Sequence, residues 1–184
     1  MNVSRLVPLL LAAPFLFSAP AYAQIKAGDT EIGVFGIISS DNEAESSSTT
    51  IGGTFGHFMT DNLEVKGSMS LTGTSDEAGN GTTFMLFGGG ADLALGGAEN
   101  KFVPYVGALM NLTLLTITSD AYDLTGAGVT IDLHGGVKFF MTERAAVDLQ
   151  LRQISGTVTV SDGAYEYDQD INRTEFLVGI NVYI

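Results

Sequence analysis

The chain has 184 residues, 21 acidic side chains against 8 basic ones for a formal charge of −13, and neither cysteine nor tryptophan. One domain suits this length. The acidity argues against nucleic acid as a partner, and the missing thiols exclude a disulfide framework, a thiolate metal site and a cysteine nucleophile.

Residues 1–23 read as a secretory signal peptide. Arg5 precedes an apolar run over 6–17, and the small residues Ala21 and Ala23 then sit at the spacing of an Ala-x-Ala cleavage site. The run is too short to cross a bilayer as a helix. The expected product is a single domain over 24–184. No later apolar stretch is long enough for a transmembrane helix, so any membrane insertion must be as a closed barrel.

Eight strands are expected, at about 29–39, 49–58, 63–74, 82–95, 102–115, 128–140, 145–155 and 174–184. In the third, Leu63, Val65, Gly67, Met69 and Leu71 alternate with Glu64, Lys66, Ser68, Ser70 and Thr72. The sixth sets Val129, Ile131, Leu133, Val137 and Phe139 against Thr130, Asp132, His134 and Lys138. In the seventh, Ala145, Val147, Leu149 and Leu151 oppose Ala146, Asp148, Gln150 and Arg152, and the eighth sets Phe176, Val178, Ile180, Val182 and Ile184 against Glu175, Gly179 and Asn181. Phe-Met-Thr-acid occurs twice, at 58–61 and 140–143, each time as a turn feeding one of these two-faced strands.

The connections alternate in length. Those at 59–62, 96–100 and 141–144 are short, whereas 40–48, 75–81, 116–127 and 156–173 are long, polar and rich in acid. Outer-membrane barrels carry tight periplasmic turns and longer outer loops, so the expectation is an acidic outer rim with both termini in the periplasm. The rim reads as a solvated face, and no metal site is assigned to it. Phe58, Phe102, Tyr105, Phe140 and Tyr183 fall near the periplasmic ends, where an interfacial aromatic girdle is expected.

Alternation by itself fits a lipocalin-like barrel in water as well as a barrel in lipid. The composition of the two faces separates them. Each apolar stripe is free of charge, as a lipid-facing surface must be when a midplane Lys or Arg costs about 2–4 kcal/mol. The opposite face is mostly small and polar, with a few charges of both signs: Glu64, Lys66, Asp92, Asp132, Lys138, Asp148, Arg152 and Glu175. With His134 these form the expected ionic network of a lumen filled by side chains. The only other histidine, His57, lies beside a periplasmic turn, so no general base is placed at the outer leaflet and no catalytic residue or cofactor is assigned.

With the strands laid out, three stretches stand out: residues 56–63 (Gly-His-Phe-Met-Thr-Asp-Asn-Leu), 102–107 (Phe-Val-Pro-Tyr-Val-Gly) and 135–142 (Gly-Gly-Val-Lys-Phe-Phe-Met-Thr). In their order and spacing the chain resembles the small eight-stranded outer-membrane β-barrel family of the OmpA-type transmembrane domain and the opacity-like surface proteins. The final stretch, with Gly179, Val182 and Ile184, is similar to the family's assembly signal. The resemblance implies an all-β, eight-stranded antiparallel up-and-down transmembrane β-barrel. It also implies a place in the bacterial outer membrane, contact with its lipid and insertion by the barrel-assembly machinery. A structural or surface-interaction role is the leading expectation, with an unidentified extracellular ligand. A lipid-modifying barrel enzyme, a small-conductance porin and a soluble lipocalin-like periplasmic carrier are the alternatives, because fold does not dictate function.

Overall fold

The computed structural model describes residues 25–41, 46–76, 80–96, 100–119, 123–161 and 166–184. The expected signal peptide, with Ala21 and Ala23, lies outside them. Eight strands follow one another: β1 Thr30–Asp41, β2 Ser46–Phe58, β3 Leu63–Asp76, β4 Gly81–Ala94, β5 Phe102–Thr118, β6 Asp123–Thr142, β7 Ala145–Ser161 and β8 Glu166–Tyr183. Each pairs antiparallel with its neighbours in sequence, and β1 pairs with β8 to close the barrel. Closure leaves the belt of the barrel without an edge, the condition for sheet to lie in hydrocarbon.

Period-2 geometry sends successive side chains to opposite sides of the wall. Ile32, Val34, Phe55, Leu63, Val65, Met69, Phe87, Leu93, Met110, Leu112, Ile131, Leu133, Leu151, Phe176, Ile180 and Ile184 are exposed on the outside. Glu64, Lys66, Asp92, Asp132, His134, Lys138, Asp148 and Arg152 are buried inside. This fold is an inverted globule: its apolar side chains face outward and its ions face one another. On β8 the outward residues stay apolar from Ile184 to Phe176, about the length that a tilted strand needs to cross a bilayer.

Two expectations are corrected. The stretches 40–48, 116–127 and 156–173, read as long loops, are mostly strand, and 75–81 is strand at both its ends, leaving only 42–45, 77–80, 119–122 and 162–165 between elements at that end. The pattern misled because its phase inverts. Along β7 the outward residues change from Leu149 and Leu151 to Gln153, Ser155, Thr157 and Thr159, while the inward ones change from Asp148 and Arg152 to Ile154, Val158 and Val160. The same strand thus reads as a membrane barrel below Gln153 and as a water-soluble barrel above it. Asp123, Glu166, Asp168 and Asp170 stand on these strand extensions, while Glu43, Glu45, Glu77, Asp120 and Asp162 lie outside the described residues.

The second correction concerns the aromatics. Phe58, Tyr105, Phe140 and Tyr183 point inward and are at most 4% exposed, so of the five expected girdle residues only Phe102 faces out. Phe58, Phe140 and Tyr183 instead pack with Ile25, Val103 and Ala146 into an apolar plug across the turn end of the lumen.

Candidate functional site

The lumen is layered. Below lies the plug, onto which Ile25 is led by a short N-terminal strap. The strap is pinned by Gly28 N–H donating to Phe58 O at 2.8 Å and Ala27 N–H donating to Asp61 Oδ1 at 3.0 Å. Above lies a second apolar cluster of Leu86, Leu115, Ile154, Val158, Val160 and Ile171, at the level where the strands leave the apolar belt. The ionic residues occupy the space between. Two hydroxyl pairs, Thr50–Thr72 at 2.9 Å and Thr113–Thr130 at 2.8 Å, bridge neighbouring strands there.

All nine residues of the expected network stand in this middle layer, and eight of them are linked through one another. Lys138 lies between Glu31 and Glu64, the latter at 3.4 Å. Lys66 reaches Asp92 at 2.6 Å and Glu64 at 4.0 Å. Asp92 accepts from His134 Nε2 at 2.8 Å, and His134 Nδ1 lies 3.0 Å from Asp132, so the imidazole bridges two carboxylates. Arg152 extends the chain from Asp132 at 3.6 Å to Glu175 at 2.6 Å, and Arg173 closes on Glu175 at 2.6 Å. The ninth residue, Asp148, is held apart from these pairs by the Tyr105 hydroxyl, which donates at 2.9 Å, and by Asn181 Nδ2 at 3.3 Å.

Backbone economy makes this crowding feasible. A Cβ on Gly107 would strike both Asp92 Oδ1 and His134 Nε2, and one on Gly56 would strike the Glu64 carboxylate. Those two glycines are the floor on which the ions rest. Lys138 also sits 5.1 Å from the Tyr105 ring and 5.8 Å from the rings of Phe58 and Tyr183, so the aromatic plug contributes cation–π contacts to the ion layer.

The sequence reading missed Glu31, Tyr105, Arg173 and Asn181. Glu31 carried a usable signal, since it alternates with the outward Ile32 and Val34. Arg173 was hidden by the phase inversion, and Tyr105 by its assignment to the girdle. Within the assembly-signal stretch, Val182 and Ile184 face out, whereas Gly179 is inward and lets β8 approach β1: its Cβ would lie 3.0 Å from Val34 O. His57 is exposed on the outer face, with Nδ1 3.5 Å from the Thr30 hydroxyl.

Chemically the lumen is occupied rather than open. A void of about 10 Å³, lined by Glu64, Asp92, Tyr105 and Lys138 together with Ile25 and Phe58, has the volume of one water. Both nitrogens of His134 are engaged by carboxylates. Among the described residues no group of three His, Cys, Asp or Glu side chains is arranged to hold a metal ion.

Several solved outer-membrane barrels share this architecture. The N-terminal barrel of Pseudomonas aeruginosa OprF is 18% identical, with a TM-score of 0.57 over 85% of this chain and 98% of that one. P. aeruginosa OprG is 14% identical, with a TM-score of 0.65 over 91% and 99%, and the neisserial surface protein NspA is 14% identical, with 0.59 over 85% and 97%. Among curated proteins none matches by sequence. The family model for the outer membrane protein beta-barrel domain matches residues 9–183. A closed eight-stranded ring with an apolar outside, similar in fold to these barrels and matched by that model over nearly its whole length, belongs to the outer-membrane β-barrel domain family.

Proposed function

We propose that the protein is a non-enzymatic anchor whose sealed barrel carries a polar rim to the cell surface for structural or surface-interaction purposes. The carrying observation is the lumen: among the described residues, an ion-paired layer lies between apolar clusters on either side of it. Such an interior spends its charges on one another, and its single histidine is consumed in bridging carboxylates. In planar bilayers the purified barrel is expected to show only small, sporadic conductance. Steady, large single-channel currents would overturn the reading in favour of a porin.

The rim is assigned to the extracellular side and both termini to the periplasm. Support comes from the asymmetry of the wall: β6, β7 and β8 continue well past the apolar belt at one end, whereas β6 and β7 are joined at the other by residues 143–144 alone. Protease added to intact cells should cut near 162–170 and spare 96–100. The partners in this reading are outer-membrane lipid and, during insertion, the barrel-assembly machinery. Absence of any mass change in lipid A incubated with the protein is the matching expectation for enzymatic activity, and a modified product would refute it.

A further inference from the structure

The β1–β8 seam is closed only in part. Pairing runs from Glu31–Tyr183 to Gly36–Val178 and stops, although β1 continues to Asp41 and β8 begins at Glu166. Over that upper stretch β8 pairs with β7 as far as Ser161–Glu166, and β1 pairs with β2. Among the described residues no strand pairs with the other side of β8 above Val178.

The break falls where the outer face changes character. Ile184, Ile180 and Phe176 are outward and apolar, but Thr174, Asn172, Asp170 and Asp168 above them are outward and polar. An unpaired backbone in hydrocarbon costs several kcal/mol per group, so the seam must be shut through the body of the belt; Phe176, at its upper margin, is the first residue left open, and above it water or a partner can satisfy the groups. The phase of the free edge is fixed by Thr30 and Ile184, each of which donates its N–H to the other's carbonyl, at 3.0 and 2.9 Å. In an antiparallel ladder alternate residues point the same way, so Glu166, Asp168, Asp170, Asn172, Thr174 and Phe176 turn their N–H and C=O groups to the open side. Tyr183, which donates to Arg144 O on the β7 side at 2.9 Å, has the opposite phase.

We propose that this edge of β8 is a docking site for an extended, basic polypeptide segment, which adds to the sheet as a further antiparallel strand. Main-chain hydrogen bonds supply affinity in such strand addition, and side chains on alternate positions supply selectivity. Here the selecting side chains are acidic. Asp168 and Asp170 each commit one oxygen to a cross-strand threonine, Thr159 at 2.9 Å and Thr157 at 3.2 Å, leaving the second oxygen for a cation. The same carboxylates oppose a second copy, because pairing two β8 edges would set acid against acid. The edge exists whichever way the barrel is oriented, so failure of the proposed orientation would move the partner to the other compartment without removing the site.

The test uses the full chain folded in lipid nanodiscs and a fluorescent peptide of about twelve residues alternating Lys with Val and Thr. Hydrogen–deuterium exchange of the β8 amides at Asp170 and Asn172 should slow by about tenfold or more when the peptide is bound. Methylating alternate peptide amides, or replacing Lys by Glu, should weaken binding by at least about tenfold. Asn172→Pro removes an edge N–H but leaves the β7 ladder intact, so it should weaken binding similarly, while Asn172→Ala should stay within about twofold of the parent. If Asn172→Pro fails to fold, the methylated peptide decides the matter. Equal binding of methylated and unmethylated peptides, or binding that protects no β8 amide, would overturn the proposal. So would a peptide-insensitive dimer that Asn172→Pro dissociates, which would assign the edge to a second copy.

Discussion

Asp92 is the most heavily committed side chain in the lumen, holding Lys66 at 2.6 Å and His134 at 2.8 Å while almost wholly buried. Removing one partner of a buried ion pair leaves the other charge without compensation, a loss of about 3–5 kcal/mol. Asp92→Ala should therefore lower the urea midpoint of the lipid-embedded barrel sharply. Because two charges replaced together by packed apolar groups are often neutral or better, Asp92→Leu with Lys66→Met should recover most of that loss. If the double variant is no more stable than the single, Lys66 is not the group left stranded. Gly107 offers a test from the backbone side. Its Cβ would overlap the Asp92–His134 bond, so Gly107→Ala should cost about 1–3 kcal/mol as overpacking and shift the imidazole nitrogen resonances of His134. A variant whose resonances match the parent would show that the bond re-forms around the methyl group.

At the level of the strand, one chain segment passes through two solvents and changes its pattern on the way. Leu151 and Thr157 both face outward on β7, yet only Leu151 belongs to the apolar belt, while Val158 faces inward in the upper cluster. A lysine at each reads the three environments separately. Leu151→Lys should cost up to about 2–4 kcal/mol in lipid, Thr157→Lys close to nothing, and Val158→Lys should disrupt the upper cluster. Equal costs for Leu151→Lys and Thr157→Lys would place both in one medium and remove the phase inversion as a boundary marker. The inversion also explains which parts of the fold were legible from sequence. Strand β3 and the belt portions of β6, β7 and β8 could be read because a single alternation runs through them. The extensions at 156–161 and 166–173 could not, since a polar outward row beside Val158, Val160 and Ile171 lacks the charge-free stripe by which the belt was recognised. The ionic residues were readable for the same reason as the belt: a charge on the face opposite a lipid stripe has only the lumen to enter. The aromatics were misplaced because proximity to a strand end does not fix the side of the wall. Parity does, and Phe58 shares its parity with Gly56 and Thr54 rather than with the outward Phe55.

For the molecule as a whole, the three lumen layers and the outer belt answer to the same membrane. The ions and hydroxyl pairs lie at the height where the outside is apolar, and the upper apolar cluster begins near where the outside turns polar, so inside and outside exchange character at about one level. A barrel within hydrocarbon can draw little stability from burying apolar surface, because its lipid-facing side chains stay in an apolar medium; packing and polar pairing inside must supply it. Above that level water returns, and burial of Leu115, Ile154 and Val160 again contributes in the ordinary way. The boundary can be located directly because the chain has no native cysteine to interfere with labelling. Single cysteines carrying a nitroxide at Leu149, Leu151, Gln153, Thr157 and Thr159 all project outward, so they differ only in height along one strand. Oxygen, which concentrates in hydrocarbon, should relax the labels at 149 and 151, whereas a water-soluble nickel complex should relax those at 157 and 159, with the crossover near 153. Lipid-like accessibility persisting to 159 would raise the membrane surface above the upper cluster and immerse the open edge of β8 in hydrocarbon. Its unpaired amides would then be untenable, so the same measurement decides both where the membrane ends and whether that edge stands free in water.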